Sequence, residues 1–498
     1  MKFLTVATIS ALFLYRISME RRTKIIATIG PASDSESDLR KIIDAGMDVA
    51  RLGLAHGTLD EAIERYQRIR QVSSELSKRV GILVDLPGPK IRSAAFSDDG
   101  AELTKNSEIL IVPGSDGSDE KVIQVEYENV LSDLLPGDVI PFGDGQVVVR
   151  VENVTADGAS AIVVSGGRLH GRPGIRIPSE RLSMPTPTDS DLRKLDAFVE
   201  LGVDMVAVSY VRSAHDVRRV GTEPHPRGPL VVAKIETRAA VENLKGIIEA
   251  SAGIMVARGD LGTEFDLADL PHLQKKIIAE CIAGGLPVIT ATQMLDSMIQ
   301  NSSPTRAEAS DVANAVFDGT SAVMLSGETA IGEFAVESVE TMARIAQRAD
   351  EAFDYERWAE RVAQLRQDSG DDSSSAGSEG ITDAMTLATW RAANELDLAA
   401  LLCISGSGFT VRSMARFRPN VPILGMTMDE RTAQQLTLSW GVTPYTITGE
   451  LGYESRIKNA LSVARAEGHI KSNDLIGVLA GITGDSPATD VLRIMRVP

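Results

Sequence analysis

Short runs of Val, Ile, Leu and Ala recur along the chain, separated by longer stretches in which apolar residues return every three to four positions. The runs lack polar alternates, which marks strands covered on both faces, and the stretches between them read as amphipathic helices. In order, the strand candidates span 24–29, 48–52, 80–86, 203–209, 230–236, 253–257, 286–291 and 321–326. Helices are expected at 38–45, 59–78, 191–201, 239–250, 269–283 and 306–317, and the spacings of Thr58 to Glu61 and Thr188 to Asp191 fit capping pairs. Eight strand-then-helix units are the number that closes a parallel (βα)8 TIM barrel, an α/β fold. An open doubly wound sheet is the alternative.

The third unit is interrupted. Between 93 and 184 the pattern changes to short alternating strands at 108–112, 121–125, 146–151 and 160–164, punctuated by Pro113-Gly114, Pro136-Gly137 and Asp157-Gly158. This predicts a small inserted β-barrel lid domain. It rises from the loop after the third strand, on the face where barrel active sites lie. After residue 351 a helix leads into Asp368 to Gly380, whose Ser, Asp and Gly content predicts a flexible linker. A C-terminal open α/β domain follows, with strands near 400–404, 421–426 and 474–480. The expected division is therefore 1–18 as an N-terminal extension, 19–92 with 185–355 as the barrel, 93–184 as the lid, 356–380 as helix and linker, and 381–498 as the C-terminal domain. Within the extension, the apolar run from Phe3 to Tyr15 is too short to span a bilayer, so Met19 is expected to be the true start, with an export signal as the alternative.

Composition narrows the function. With 51 basic against 69 acidic residues, a net charge of −18 argues against nucleic acid as a partner. Only Cys281 and Cys403 are present, which excludes a disulfide scaffold and a cysteine zinc site and fits a reducing cytoplasm. None of the six His residues has another at i+2 or i+4, so a histidine zinc pair is not expected either. No membrane association is expected.

Chemistry-bearing residues gather at the ends of the predicted barrel strands. Lys234 and Glu236 stand two apart on one strand and so face the same side, where burial is costly unless they meet each other, water or a metal. Asp260, at the end of the next strand in Arg258-Gly259-Asp260, adds a second carboxylate. Two carboxylates completed by water and substrate oxygens suit Mg²⁺. The plainer reading is a Lys234–Glu236 salt bridge with Asp260 as a helix cap. Thr292 offers a hydroxyl on the same rim, while Arg51, His56, Lys90 and Arg92 form a cationic sector beside the carboxylates. Such a rim suits a substrate carrying both phosphate and carboxylate, bridged by metal.

The chain resembles the pyruvate kinases from about Glu20 onward, through RTKIIATIGPAS at 22–33, GMDVARLGLAHG at 46–57, Lys234-Ile235-Glu236, IMVARGDLG at 254–262, TATQM at 290–294, PTRAEASDV at 304–312 and MLSGETA at 324–330. The resemblance implies transfer of the phosphoryl group of phosphoenolpyruvate to ADP, giving ATP and pyruvate in the last step of glycolysis. It also implies a cytoplasmic homotetramer. Carried over by position, Glu236 and Asp260 hold Mg²⁺ or Mn²⁺, and Lys234 and Thr292 are catalytic. Arg51, Ser209, Gly259, Asp260 and Thr292 meet the substrate, and His56 and Arg92 meet the nucleotide. The loop Ser405-Gly406-Ser407-Gly408-Phe409-Thr410 resembles the family's sugar-phosphate effector site, through Ser405, Gly406, Ser407, Gly408 and Thr410.

Departures matter as much. Where the family usually binds K⁺ with an Asn and a Ser, this chain has Gly53 and Ala55, and its Asp85-Leu86 replaces an Asp-Thr pair. Lys90 occupies a position where K⁺-independent members tend to carry Lys, so its ammonium is expected to replace K⁺. In the lid hinge, Pro173 and Arg176 stand where Lys and Asn are common, and Arg172 or Arg176 is expected to take over the phosphate contact. Asp144, in a retained Gly143-Asp144-Gly145, is expected to reach the site on lid closure. Two other functions share parts of this pattern: a metal-dependent pyruvate-enolate aldolase or lyase, and a catalytically weak metabolite-sensing paralogue.

Overall fold

A computed structural model describes residues 21–143, 145–178, 181–368, 377–449, 452–482 and 489–498. The N-terminal extension, Asp144 and most of the expected linker lie outside the described residues. The eight predicted strands form one closed parallel barrel. Its first three are β1 (Lys24–Thr28), β2 (Val49–Gly53) and β3 (Gly81–Leu86). Seven lid strands follow: β4 (Ala101–Leu103), β5 (Glu108–Pro113), β6 (Val122–Val125), β7 (Val139–Phe142), β8 (Val147–Val154), β9 (Ala159–Ser165) and β10 (Gly167–Leu169). The barrel then resumes with β11 (Met205–Val208), β12 (Leu230–Ile235), β13 (Gly253–Ala257), β14 (Val288–Ala291) and β15 (Ala322–Leu325), and β15 pairs with β1 to close it.

Alternation decides which side chains fill the barrel. Ile26, Val49, Leu83, Met205, Val232, Met255 and Ile289 pack together along its axis, while their neighbours Ile25, Ala50, Ile82, Val206, Ala233 and Ile254 belong to the outer layer under the helices. The helices begin where the capping signals fall: Thr58 with Glu61 and Thr188 with Asp191 each form a reciprocal capping box, as does Thr305 with Glu308. The expected helix over 239–250 is two helices, Arg238–Glu242 and Leu244–Ala250, divided at Asn243, whose side chain caps carbonyls of Arg212 and Ala239.

The lid leaves after β3 and returns before the helix Asp189–Glu200. It comprises a five-stranded sheet in the order β6-β5-β9-β8-β7 and the two-stranded pair β10-β4, with its own apolar core around Phe142 and Ile123. Its outgoing and returning segments pair at Arg92 and Gly174. In the C-terminal part a helix runs from Ser378 to Glu395, beginning within the stretch expected as linker. The open sheet there has five strands: β16 (Leu401–Ile404), β17 (Ile423–Thr427), β18 (Val442–Thr446), β19 (Leu475–Ala480) and β20 (Val491–Arg496). β18 and the antiparallel β20 are not expected from the sequence pattern, since Thr443, Pro444, Arg493 and Arg496 dilute their apolar runs. The outer core of the barrel continues through Phe417, Met414 and Leu401 into this domain. Among the described residues, no helix is long and apolar enough to cross a membrane.

Candidate active site

The alternation that fills the barrel also sets the chemistry of its mouth. Residues two beyond an interior core position point to the same axis, so Arg51 follows Val49, Asp85 follows Leu83, Ser209 follows Ala207, and Lys234 and Glu236 follow Val232. The structure brings these five together. Arg51 Nε pairs with Asp85 Oδ2 at 2.8 Å, and Arg51 Nη1 donates to Thr28 Oγ1 at 3.0 Å. Lys234 Nζ donates to Ser209 Oγ at 2.7 Å and lies 3.3 Å from Asp85 Oδ1 and 2.9 Å from Glu236 Oε1. Burial pushes the Asp85 carboxyl up, but Lys234 and Arg51 outweigh it and hold it below the usual range. Burial pushes Lys234 down, yet Asp85 and Glu236 keep its ammonium firmly charged.

Glu236 is buried, and its Oε2 accepts the backbone N–H of Tyr210 at 2.6 Å. Burial first, and the charge of Asp260 in addition, push its carboxyl up against the opposing pull of Lys234. The same two carboxylates, with burial, push up the Tyr210 phenol. Glu236 and Asp260 thus act on each other through a medium of low dielectric, and two carboxylates so placed favour a shared cation. Among the described residues no group of three or more His, Cys, Asp and Glu forms a metal cage. A two-carboxylate site fits Mg²⁺ or Mn²⁺, which keep water and substrate oxygens in their remaining positions.

Asp260 lies in the first turn of the helix Arg258–Glu264, directly after β13. Gly259 N donates to Thr292 Oγ1 at 2.8 Å, and that hydroxyl donates to Ala291 O at 2.6 Å. Thr292 and Gln293 both hold left-handed backbone, with φ of 70° and 54°. For a β-branched residue this conformation costs on the order of 1–3 kcal/mol. Arg258 holds the loop in place: its Nη2 donates to Thr292 O at 2.7 Å while its Nη1 pairs with Asp311 at 2.6 Å. On the opposite side, a side chain at Gly88 would put its Cβ 2.9 Å from Tyr210 Cδ2 and 3.1 Å from Ser209 O, at a φ of 70° that glycine tolerates.

The cationic sector lines the lid side. Burial, then Lys90, Arg92 and Arg51, push the exposed His56 imidazole down, so all four groups share one electropositive region. Arg92 Nη1 donates to Arg172 O at 3.1 Å, across the two hinge segments. Arg172 itself pairs with Glu126, within the lid. Arg176 turns the other way and pairs with Asp260 Oδ1 at 2.6 Å. A cleft of about 760 Å³, open solvent at its mouth included, lies between lid and rim and is lined by Lys90, Arg176, Tyr210, Arg212 and Asp260 among others.

The candidate effector loop belongs to a separate place, between β16 and the short helix Phe409–Ala415. Gly406 and Ser407 are exposed, while Ser405, Gly408 and Thr410 are buried and the Thr410 hydroxyl meets that of Thr489. Two residues of the site, Tyr210 and Arg258, are not marked as site members by the sequence pattern. Asp85 is legible through its alternation with Leu83, and Arg176, expected at the nucleotide phosphate, is found paired with Asp260. Tyr210 and Arg258 carry no local signal, because they act through contacts made 26 and 34 positions away.

Comparison with known proteins follows the same division. The barrel-domain profile of pyruvate kinase matches residues 20–339, and its alpha/beta-domain profile matches 383–495. A pyruvate kinase of Staphylococcus saprophyticus is 38% identical over 484 residues, covering 96% of this chain and 80% of that protein. One from Bacillus licheniformis is 36% identical over 482 residues, with the same coverage of 96% and 80%. The crystal structure of a pyruvate kinase from Cryptosporidium parvum superposes with a TM-score of 0.88 at 30% identity, covering 96% of each chain.

Proposed function

We infer the reaction from a fixed premise: the chain belongs to the pyruvate kinase family and is a phosphotransferase. Its reaction is transfer of the phosphoryl group of phosphoenolpyruvate to ADP, giving ATP and pyruvate. The observation that carries the assignment to these residues is the single ammonium of Lys234 held among Ser209, Asp85 and Glu236 at the barrel mouth, beside Asp260. A fixed positive charge there meets the negative charge that develops on the transferring phosphoryl group and on the enolate left behind. Ser209 and Asp85 orient it, so little rearrangement is needed when the charge appears.

Glu236 and Asp260 would hold Mg²⁺ or Mn²⁺. Such an ion would supply charge neutralisation for the anionic groups of the substrate. Arg51, anchored on Asp85 and Thr28, presents its remaining N–H groups to the phosphate. Gly259 lets the substrate approach the backbone above Asp260. The Thr292 hydroxyl, fixed by Gly259 N, helps deliver the proton that converts enolpyruvate to pyruvate. His56 and Arg92 face the nucleotide from the electropositive side. Lys90, exposed at the cleft, supplies the positive charge that K⁺ supplies in other members.

The cleft between lid and rim favours a nucleotide-using kinase over the aldolase or lyase, which needs no lid. The intact Lys234, Glu236, Asp260 and Thr292 set favours catalysis over mere metabolite sensing. Assembly as a homotetramer, residence in the cytoplasm and a sugar-phosphate effector at Ser405 to Thr410 complete the reading; both cysteines are free and buried, as a reducing compartment permits. A coupled assay for ATP formed from phosphoenolpyruvate and ADP with Mg²⁺ tests it. Turnover that requires both substrates and the metal is expected, and no ATP above background would overturn it.

A further inference from the structure

Asp260 has a cation beside it that comes from the lid. Arg176 Nη2 pairs with Asp260 Oδ1 at 2.6 Å, Arg176 Nη1 donates to the backbone carbonyl of Asp260 at 2.9 Å, and the same nitrogen reaches Thr263 Oγ1. One planar guanidinium thus grips the side chain and main chain of one turn, a geometry open to Arg and closed to the smaller Asn or the single-point Lys. The contact joins the returning lid hinge to the barrel rim, and Arg176 N is in turn fixed to Pro141 O inside the lid.

The charges at the mouth explain why it forms. Glu236 already has Lys234 as its partner, while Arg176 is the ion-pair partner of Asp260 among the described residues. A divalent ion bound at about 2.1 Å from a carboxylate oxygen brings its own shell of waters. An ion held by the Asp260 carboxylate would have to share the space beside it with the guanidinium, and the two positive charges would repel at short range.

We propose that Arg176 is an internal competitor of the divalent cation: its guanidinium neutralises Asp260 in the metal-free enzyme, latches the lid on the rim, and must be displaced when metal binds. Latch and metal are then reciprocally coupled, so each weakens the other by the same factor. This inference rests on the assignment of Glu236 and Asp260 as metal-holding residues.

The test is a titration with Mn²⁺ alone, read by the electron paramagnetic resonance signal of the free ion, on the full chain and on Arg176→Gln, Thr263→Val, Glu236→Gln and Asp260→Asn. Arg176→Gln is expected to bind Mn²⁺ roughly three- to tenfold more tightly, and Thr263→Val, which removes one anchor of the guanidinium, by a smaller factor. Limited proteolysis without metal is expected to cut the lid hinges faster in Arg176→Gln than in the parent, and Mn²⁺ to bring the parent toward the variant. Unchanged or weaker Mn²⁺ binding by a folded Arg176→Gln overturns the latch while the carboxylate assignment stands, provided Glu236→Gln and Asp260→Asn lose the ion. Parental Mn²⁺ binding by those two variants overturns the assignment itself.

Discussion

Lys234 Nζ lies 2.9 Å from Glu236 Oε1, two positions along the chain, with the carboxylate buried and the Lys234 side chain 11% exposed at the barrel mouth. This contact satisfies the plainer expectation of a salt bridge, yet it leaves Asp260 outside it. Removing the ammonium therefore strands the buried Glu236 carboxylate near Asp260 and leaves Asp85 with Arg51 alone.

Lys234→Met is expected to lower kcat by at least about 10³-fold, the scale of a preorganised charge at the reacting centre. It should also destabilise the fold by about 3–5 kcal/mol, since breaking a buried pair leaves uncompensated charge. Steady-state kinetics and thermal melts on the same preparation check both. Turnover within tenfold of the parent would remove Lys234 from the chemistry.

Thr292 holds its role through the hydroxyl. Thr292→Ser keeps the bond from Gly259 N and should retain most activity, whereas Thr292→Val should lose roughly 10²-fold in kcat with little change in KM for phosphoenolpyruvate. Equal kinetics for the Ser and Val variants would show that the hydroxyl does not act.

Monovalent cations should matter little. Gly53, Ala55 and Leu86 offer no side-chain oxygen for K⁺, and Lys90 brings a charge of its own. Activity in choline chloride is expected within about twofold of that in KCl, while Lys90→Gln should fall about tenfold in kcat/KM in both salts. A strict K⁺ requirement in the parent contradicts this.

Stability should depend on pH through His225, far from the barrel mouth. Burial, and then the neighbouring Arg412 guanidinium, push its imidazole down to about 4. Arg412 lies on the helix Phe409–Ala415, with Nη2 3.5 Å from His225 Nδ1. A folded-state value below the ordinary one, about 6.5, means that the unfolded chain takes up the proton first. The contribution is full above pH ~6.5 and is lost as pH falls toward 4, amounting to about 2 kcal/mol once partial solvent access is discounted. Tm measured from pH 7 to 4.5 should fall less steeply in His225→Gln than in the parent. Identical slopes would exclude His225 as a source of the dependence.

Much of the fold was legible because it rests on local patterns. Unbroken apolar runs such as Gly253–Ala257 can only be strands covered on both sides, and Thr58 with Glu61 or Thr188 with Asp191 starts a helix wherever it occurs. Where the pattern is diluted, as in Val442–Thr446 and Val491–Arg496, or broken, as at Asn243, local sequence hides an element or merges two.

By itself, then, the amino-acid order determined eight barrel strands, an insertion after the third, and which rim carries the reactive side chains, since alternation and capping act over a few residues. Only the tertiary structure decided who meets whom. Asp85 lies between Arg51, 34 positions before it, and Lys234, 149 after it, and Arg176 reaches Asp260 across 84. Such pairs exist because barrel closure and the return of the lid bring distant charges into a common low-dielectric space, and no local pattern encodes which of several nearby cations will claim a given carboxylate.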